Sequence, residues 1–178
     1  MKLPEGTFDT NVLIFDDSDR GNLREIYKDW RNLCDKLVAM EARKINLPEG
    51  LSESATCLEM GFVRCTENIS GANTSFDAYD QKTKKRIQIK ACSILPDLTS
   101  FGPQSKWDDI YFVDFFKEGK WDGTFDIYLI PSELIYSQNV SKTQTMKDMQ
   151  ELGKRPRFSI YSEIIIKNNI APVKTGKI

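Results

Sequence analysis

The sequence predicts a single α+β domain over residues 1–178, with a mixed central β-sheet flanked by helices. Three observations carry that prediction. Apolar residues recur at helical spacing before residue 60, alternating or continuously apolar runs typical of strands occupy 75–130, and helical patterns return after Pro131. A chain of 178 residues can bury a core without disulfide or metal staples.

Val12 to Phe15 is a short apolar run able to add a strand. Leu23, Ile26, Trp30, Leu33, Leu37 and Met40 follow at alternating three- and four-residue steps, predicting an amphipathic helix from a cap at Asn22 to about Lys44. Its stripe suits core or a subunit interface. NLPEG (46–50) breaks the helix, and SESATCLEM (52–60) predicts a second one, capped by Ser52 and ended by Gly61. Glu53 then falls in its first turn, where the helix dipole alone accounts for a carboxylate.

SFDAYD (75–80) and RIQIKACSI (86–94) read as the strands of a hairpin around QKTKK. A turn-rich loop leads to the apolar strands 110–116 and 125–130. Pro131 opens a short helix, TQTMKDMQEL a further one ending at Gly153, and KRPR (154–157) precedes a last apolar segment, FSIYSEIII. Trp107, Trp121, Tyr111, Phe112 and Phe115 are assigned to packing.

Composition excludes several chemistries. The chain has no histidine, so Ser-His-Asp and Cys-His catalysis and histidine-based metal sites are out. Cys34, Cys57, Cys65 and Cys92 form no CxxC pair and are expected to be reduced thiols. There is no Gly-rich phosphate loop. A net charge of −1 leaves nucleic-acid binding to local patches rather than to the whole surface. The start MKLPEGTFD has no leader pattern and no run reaches the length of a membrane span, so the expected location is the cytoplasm.

On the second hairpin strand Ile87, Ile89 and Ala91 point one way, and Gln88, Lys90 and Cys92 point the other, towards an accessible face. A turn of two or four residues sets Asp77 across from Gln88, so that Asp77, Gln88 and Lys90 converge; a three-residue turn would break the register. A carboxylate, an amide oxygen, the Ile89 carbonyl and an ammonium form a set that can hold Mg2+ and activate water for phosphodiester hydrolysis.

Asp77 with Gln88-Ile89-Lys90 resembles the signature of the PD-(D/E)XK nuclease superfamily, in its QxK form. The glutamine replaces the usual acid and leaves less negative charge on the metal. The resemblance implies a restriction-endonuclease-like core and an extra carboxylate from an upstream helix, which points to Glu53 with Glu49 as the alternative. From Asn22 to Ile170 the chain also resembles a family of small type II restriction endonucleases, through SFDAYDQKTKKRIQIKACSI, LTSFGPQSKWDDIYFVDF and KRPRFSIYSEII. That resemblance implies Mg2+-dependent cutting of double-stranded DNA by a homodimer, at a GC-rich palindrome such as the interrupted GCNGC. A methyl-directed, repair or structure-specific nuclease, and a non-catalytic DNA-binding or interaction module, stay open as alternatives.

Candidate DNA contacts lie in three stretches. Lys82, Lys84, Lys85 and Arg86 surround the hairpin turn, where solvation accounts for them equally well. Ser100, Gln104 and Lys106 follow the second hairpin strand. Lys154, Arg155 and Arg157 sit in KRPR, with arginines suited to guanine edges.

Overall fold

The computed structural model describes residues 1–178. Eleven strands and four α-helices follow in chain order: β1 (Lys2–Leu3), β2 (Gly6–Thr7), β3 (Val12–Ile14), α1 (Arg20–Ala39), α2 (Glu49–Met60), β4 (Val63–Cys65), β5 (Ala78–Asp80), β6 (Lys85–Cys92), β7 (Thr99–Ser100), β8 (Asp109–Asp114), β9 (Thr124–Ile130), α3 (Ser132–Ser137), α4 (Met146–Glu151), β10 (Arg157–Phe158) and β11 (Lys174–Lys177). A π-helical turn, Tyr161–Ile166, precedes β11. No helix is long and apolar enough to cross a membrane.

Seven strands form the central sheet in the order β11-β9-β8-β6-β5-β4-β3. β6 and β8 are its parallel pair, and the other neighbours run antiparallel. The sheet is mixed, as the sequence predicts. β8 explains why its sequence is apolar throughout. Tyr111 and Val113 join the core under α1 and α2, while Ile110 and Phe112 join the core under α3, α4 and the π-turn. Both faces are covered, so alternation gives way to a continuous apolar run.

The first helix differs from its expected bounds. A capping box between Asp16 and Asp19 starts a 3₁₀ turn that runs into α1 at Arg20, so Asn22 is no cap. The helix stops at Ala39, and Glu41 takes a positive φ of 57°. Leu23, Tyr27, Trp30 and Cys34 form its buried face, whereas Ile26, Leu33 and Met40 are 48, 45 and 77% exposed. A 3.6-residue turn keeps 23, 27, 30 and 34 on one side, and the predicted heptad stripe is split in two. Trp30 is therefore core: its indole N–H donates to the Ile45 carbonyl at 3.1 Å.

α2 starts at Glu49 behind Pro48 rather than at Ser52, whose hydroxyl donates to the Glu49 carbonyl within the helix at 3.0 Å. Gly61 ends α2 with a φ of 71°, the left-handed cap expected of it. β11 was not foreseen. KTGK lacks strand-like alternation, and its pairing with β9 rests on backbone bonds and on close packing at Gly176, where an added Cβ would lie 2.5 Å from the Phe125 ring.

Candidate active site

The site begins with hairpin register. Ala78 faces Ile87 and Asp80 faces Lys85, which leaves the four-residue turn 81–84. The Asp80 carboxylate accepts from the Lys82 N–H at 2.8 Å and the Thr83 hydroxyl at 2.7 Å, which fixes that turn. Regular pairing ends at Ala78: the Asp77 N–H donates to the Ile87 carbonyl at 3.0 Å, one residue short of the Gln88 partner that strict register would give it. It is the Asp77 side chain that reaches Gln88 and Ile89.

Asp77 Oδ2 accepts the Ile89 N–H at 2.7 Å and a hydrogen bond from the Gln88 amide nitrogen. Burial raises the Asp77 carboxyl above its ordinary value, against the lowering effects of the Ile89 N–H and the Lys90 charge. Gln88 departs from expectation. It lies 3% exposed instead of on an accessible face, with Cys92 equally buried in the core behind it, while Lys90 stays half-buried. Both faces of β6 are covered along most of its length, which is why alternation there does not mark a wet side. The Gln88 Oε1 is buried with no hydrogen-bond partner. Such an atom costs roughly 1–3 kcal/mol when left unsatisfied.

A cleft of about 600 Å³ opens beside Asp77, lined by Glu49, Ser52, Glu53, Asp77, Ile89 and Lys90 among others, while Gln88 is buried behind Asp77 and does not line it. Glu53 projects from α2 and is held by Arg64 of β4, whose Nε and Nη2 donate to Glu53 Oε2 at 2.7 and 2.6 Å. Burial, then the neighbouring Asp77 charge, pushes the Glu53 carboxyl up to about 7 despite that arginine. No three acidic or cysteine side chains converge on one point. A cation here would have two carboxylates at most, with amide, carbonyl and water oxygens completing its shell. Two carboxyls that burial holds above their ordinary values, next to an orphaned amide oxygen, make a donor set of hard oxygens that suits Mg2+. Gln88 would join it by turning its amide about the soft terminal torsion, which swaps nitrogen for oxygen at no cost in shape.

The candidate DNA contacts divide. Lys85 pairs with Asp109 at 2.9 Å and Arg86 with Asp108 at 2.8 Å, so both are bound to acids at the start of β8. Ser100 lines the cleft and pairs with Arg157 in the small β7–β10 sheet. That sheet brings the loop after β6 and the KRPR segment together, and Gln150 Nε2 ties them further by donating to the Gly102 carbonyl at 2.8 Å. Lys154, Arg155 and Arg157 are exposed with no carboxylate paired to them, and Gln104 and Lys106 are exposed on the same loop.

Sequence reasoning missed three participants. Arg64, which grips Glu53, carries no motif. Asp97 is 7% exposed and accepts from the Thr99 and Ser159 hydroxyls at 2.6 Å and from the Ile160 and Tyr161 N–H groups at 3.0 Å. It anchors the loop after β6 to the start of the π-turn. Trp121, assigned to packing, is only half-buried and lines the cleft with Arg31 and Lys44.

Comparison with known proteins bears on the whole chain. The model of the Bsp6I restriction endonuclease family matches residues 15–167. The type II restriction enzyme Bsp6I of Bacillus sp. (strain RFL6) is 37% identical over 147 residues, covering 81% of this chain and 79% of that protein. No solved structure matches significantly.

Proposed function

Because the chain belongs to the Bsp6I restriction endonuclease family and is a type II restriction endonuclease by that membership, we propose that it cuts duplex DNA at a short GC-rich palindrome with Mg2+ held by Asp77, Gln88, Glu53 and the Ile89 carbonyl. The observation that carries this reading is the pairing of the Asp77 carboxylate with the Gln88 amide beside Lys90, with the Gln88 oxygen left unpartnered.

A divalent ion bound there supplies Lewis-acid stabilisation of the phosphoryl oxygens and a more acidic water. The chain's own groups do the rest. Asp77, fixed by the Ile89 N–H, sets the position of the site along β6. Lys90 orients or deprotonates the attacking water and balances negative charge as the phosphorus centre gains it. Arg64 keeps Glu53 aimed into the cleft. The unpaired Arg155 and Arg157 support readout of guanine edges, and Ser100, Gln104, Lys106 and Lys154 support backbone contacts on the same side. Cutting both strands of a palindrome calls for two symmetry-related sites, hence a homodimer.

Incubation with plasmid DNA and Mg2+ tests the reading. Discrete fragments that disappear with EDTA are expected, and Asp77→Ala should lose about 10²–10³-fold or more of the cutting rate while still binding duplex. A plasmid left intact across ionic strengths and divalent ions would overturn the assignment. Equal cutting of a plasmid and its methylated or branched counterparts at no fixed sequence would favour a structure-specific nuclease instead.

A further inference from the structure

The cleft over Asp77 is also lined by a basic and aromatic group that the hydrolytic site does not use. Trp121, from the β8–β9 connection, has its indole N–H on the Ser93 carbonyl at 2.8 Å and its ring 5.0 Å from that of Phe116. Two cations converge on this fixed ring. The Arg31 guanidinium lies 4.2 Å from the ring centroid and the Lys44 ammonium 4.7 Å. They come from different elements, α1 and the segment between α1 and α2, so helix periodicity does not explain their meeting. Arg31 shares one contact with the well-exposed Asp35 at 2.9 Å, and Lys44 is paired with no carboxylate. Like charges gathered this way repel, and a tryptophan face compensates only part of that repulsion. Lys44, with no carboxylate of its own, leaves positive charge on the cleft wall that an anion in the cleft would neutralise.

We propose that Arg31 and Lys44, seated on Trp121, bind a phosphodiester of the strand being cut, away from the scissile phosphate, and so register that strand against Asp77. This rests on the nuclease reading of the cleft. The ligand class follows from the lining: a molecule that meets the Asp77–Lys90 hairpin and the Trp121 cations in one cleft must carry phosphates repeated along a chain. Two cations already stand against the ring, so Trp121 serves as a platform for charge and not as a base-stacking surface. The two cations are positioning residues, because neither touches the reacting atoms.

The test is fluorescence anisotropy of a duplex carrying the cleavage site, titrated in EDTA over a KCl series, with wild type, Lys44→Gln, Arg31→Gln, Trp121→Leu and Lys142→Gln as a surface control. Removing one phosphate contact lowers the slope of log Kobs against log[KCl] by about 0.9. Lys44→Gln and Arg31→Gln should each show that drop with unchanged melting temperature for Lys44→Gln. Trp121→Leu should lose affinity although its charges are intact, and Lys142→Gln should match wild type. Methylphosphonate scanning of the cut strand should reveal one position where neutralisation weakens wild type but not Lys44→Gln. Wild-type slope and affinity in Lys44→Gln would overturn this inference while leaving the nuclease reading standing. Failure of wild type itself to bind or cut duplex would remove both.

Discussion

At the scale of single residues, Gln88 concentrates the chemistry of the site. The superfamily signature has an acid at this position, and here the amide donates to Asp77 while its oxygen faces no partner. An amide can do this in the metal-free protein; a carboxylate cannot, since it would set two anions against each other in a buried place. Gln88→Glu should therefore lower the stability of the metal-free protein by about 1–3 kcal/mol. Divalent cation should restore more stability to the variant than to wild type, because an ion neutralises the added charge. Thermal unfolding with EDTA and with Mg2+ checks both. Equal metal-free stabilities would show that the Asp77–Gln88 contact does not shape the site. The residue pair was legible in the sequence because it needs only strand alternation and a turn of the right parity. The burial of Gln88 was not, since it follows from the covering of both sheet faces, and nothing local in RIQIKAC announces that.

At the scale of elements, two ties hold the loops that border the cleft. Asp97 joins the segment after β6 to the π-turn through four hydrogen bonds to residues both near and far in sequence. Asp97→Ala leaves one buried and one partly buried N–H group and two hydroxyls without an acceptor, so urea unfolding should show a loss of about 2–4 kcal/mol. A loss below about 1 kcal/mol would mean that water replaces the carboxylate. The second tie joins β6 to the start of β8. The Arg86 guanidinium holds the Asp108 carboxyl below its ordinary value of 3.8, with the Arg86 N–H adding to the effect. A carboxyl whose folded value is depressed stabilises the fold above its unfolded value, and that stability fades as the pH falls through the folded value. Wild type should lose melting temperature below about pH 3.8 more steeply than Asp108→Asn, which is already weakened near neutrality. Parallel acid limbs would sink this. Element boundaries were legible where local chemistry sets them, as at Gly61 and Gly153, the left-handed glycines that follow α2 and α4. They were misplaced where tertiary contacts decide. Asp16 rather than Asn22 opens the first helical segment, and β11 forms because β9 offers an edge and Gly176 fits against Phe125.

At the scale of the whole molecule, the outward stripe of α1 bears on assembly. Sequence periodicity joins 23, 26, 30, 33, 37 and 40 into one seam. Folding turns 23 and 30 inward and leaves Ile26, Leu33 and Met40 exposed, flanked by the exposed Asp29 and Lys36. This stripe is complementary to itself. When two α1 helices pack antiparallel about a two-fold axis at Leu33, Leu33 meets its copy and Ile26 meets Met40 of the other chain. On the same flank Asp29 comes within one helical step of the other chain's Lys36, twice over, as an isologous contact requires. A second copy of the chain seated on this face would supply the homodimer proposed for palindrome cutting. Analytical ultracentrifugation should find a dimer for wild type and a shift towards monomer for Leu33→Asp. Asp29→Lys alone should weaken the dimer, since it sets four positive charges along one flank, and Asp29→Lys with Lys36→Asp should recover it. Recovery by the double exchange is the decisive outcome, because general damage to α1 would add in the double variant, whereas a charge pair across the axis is restored by it. A double variant no more dimeric than Asp29→Lys would place the interface elsewhere on the molecule.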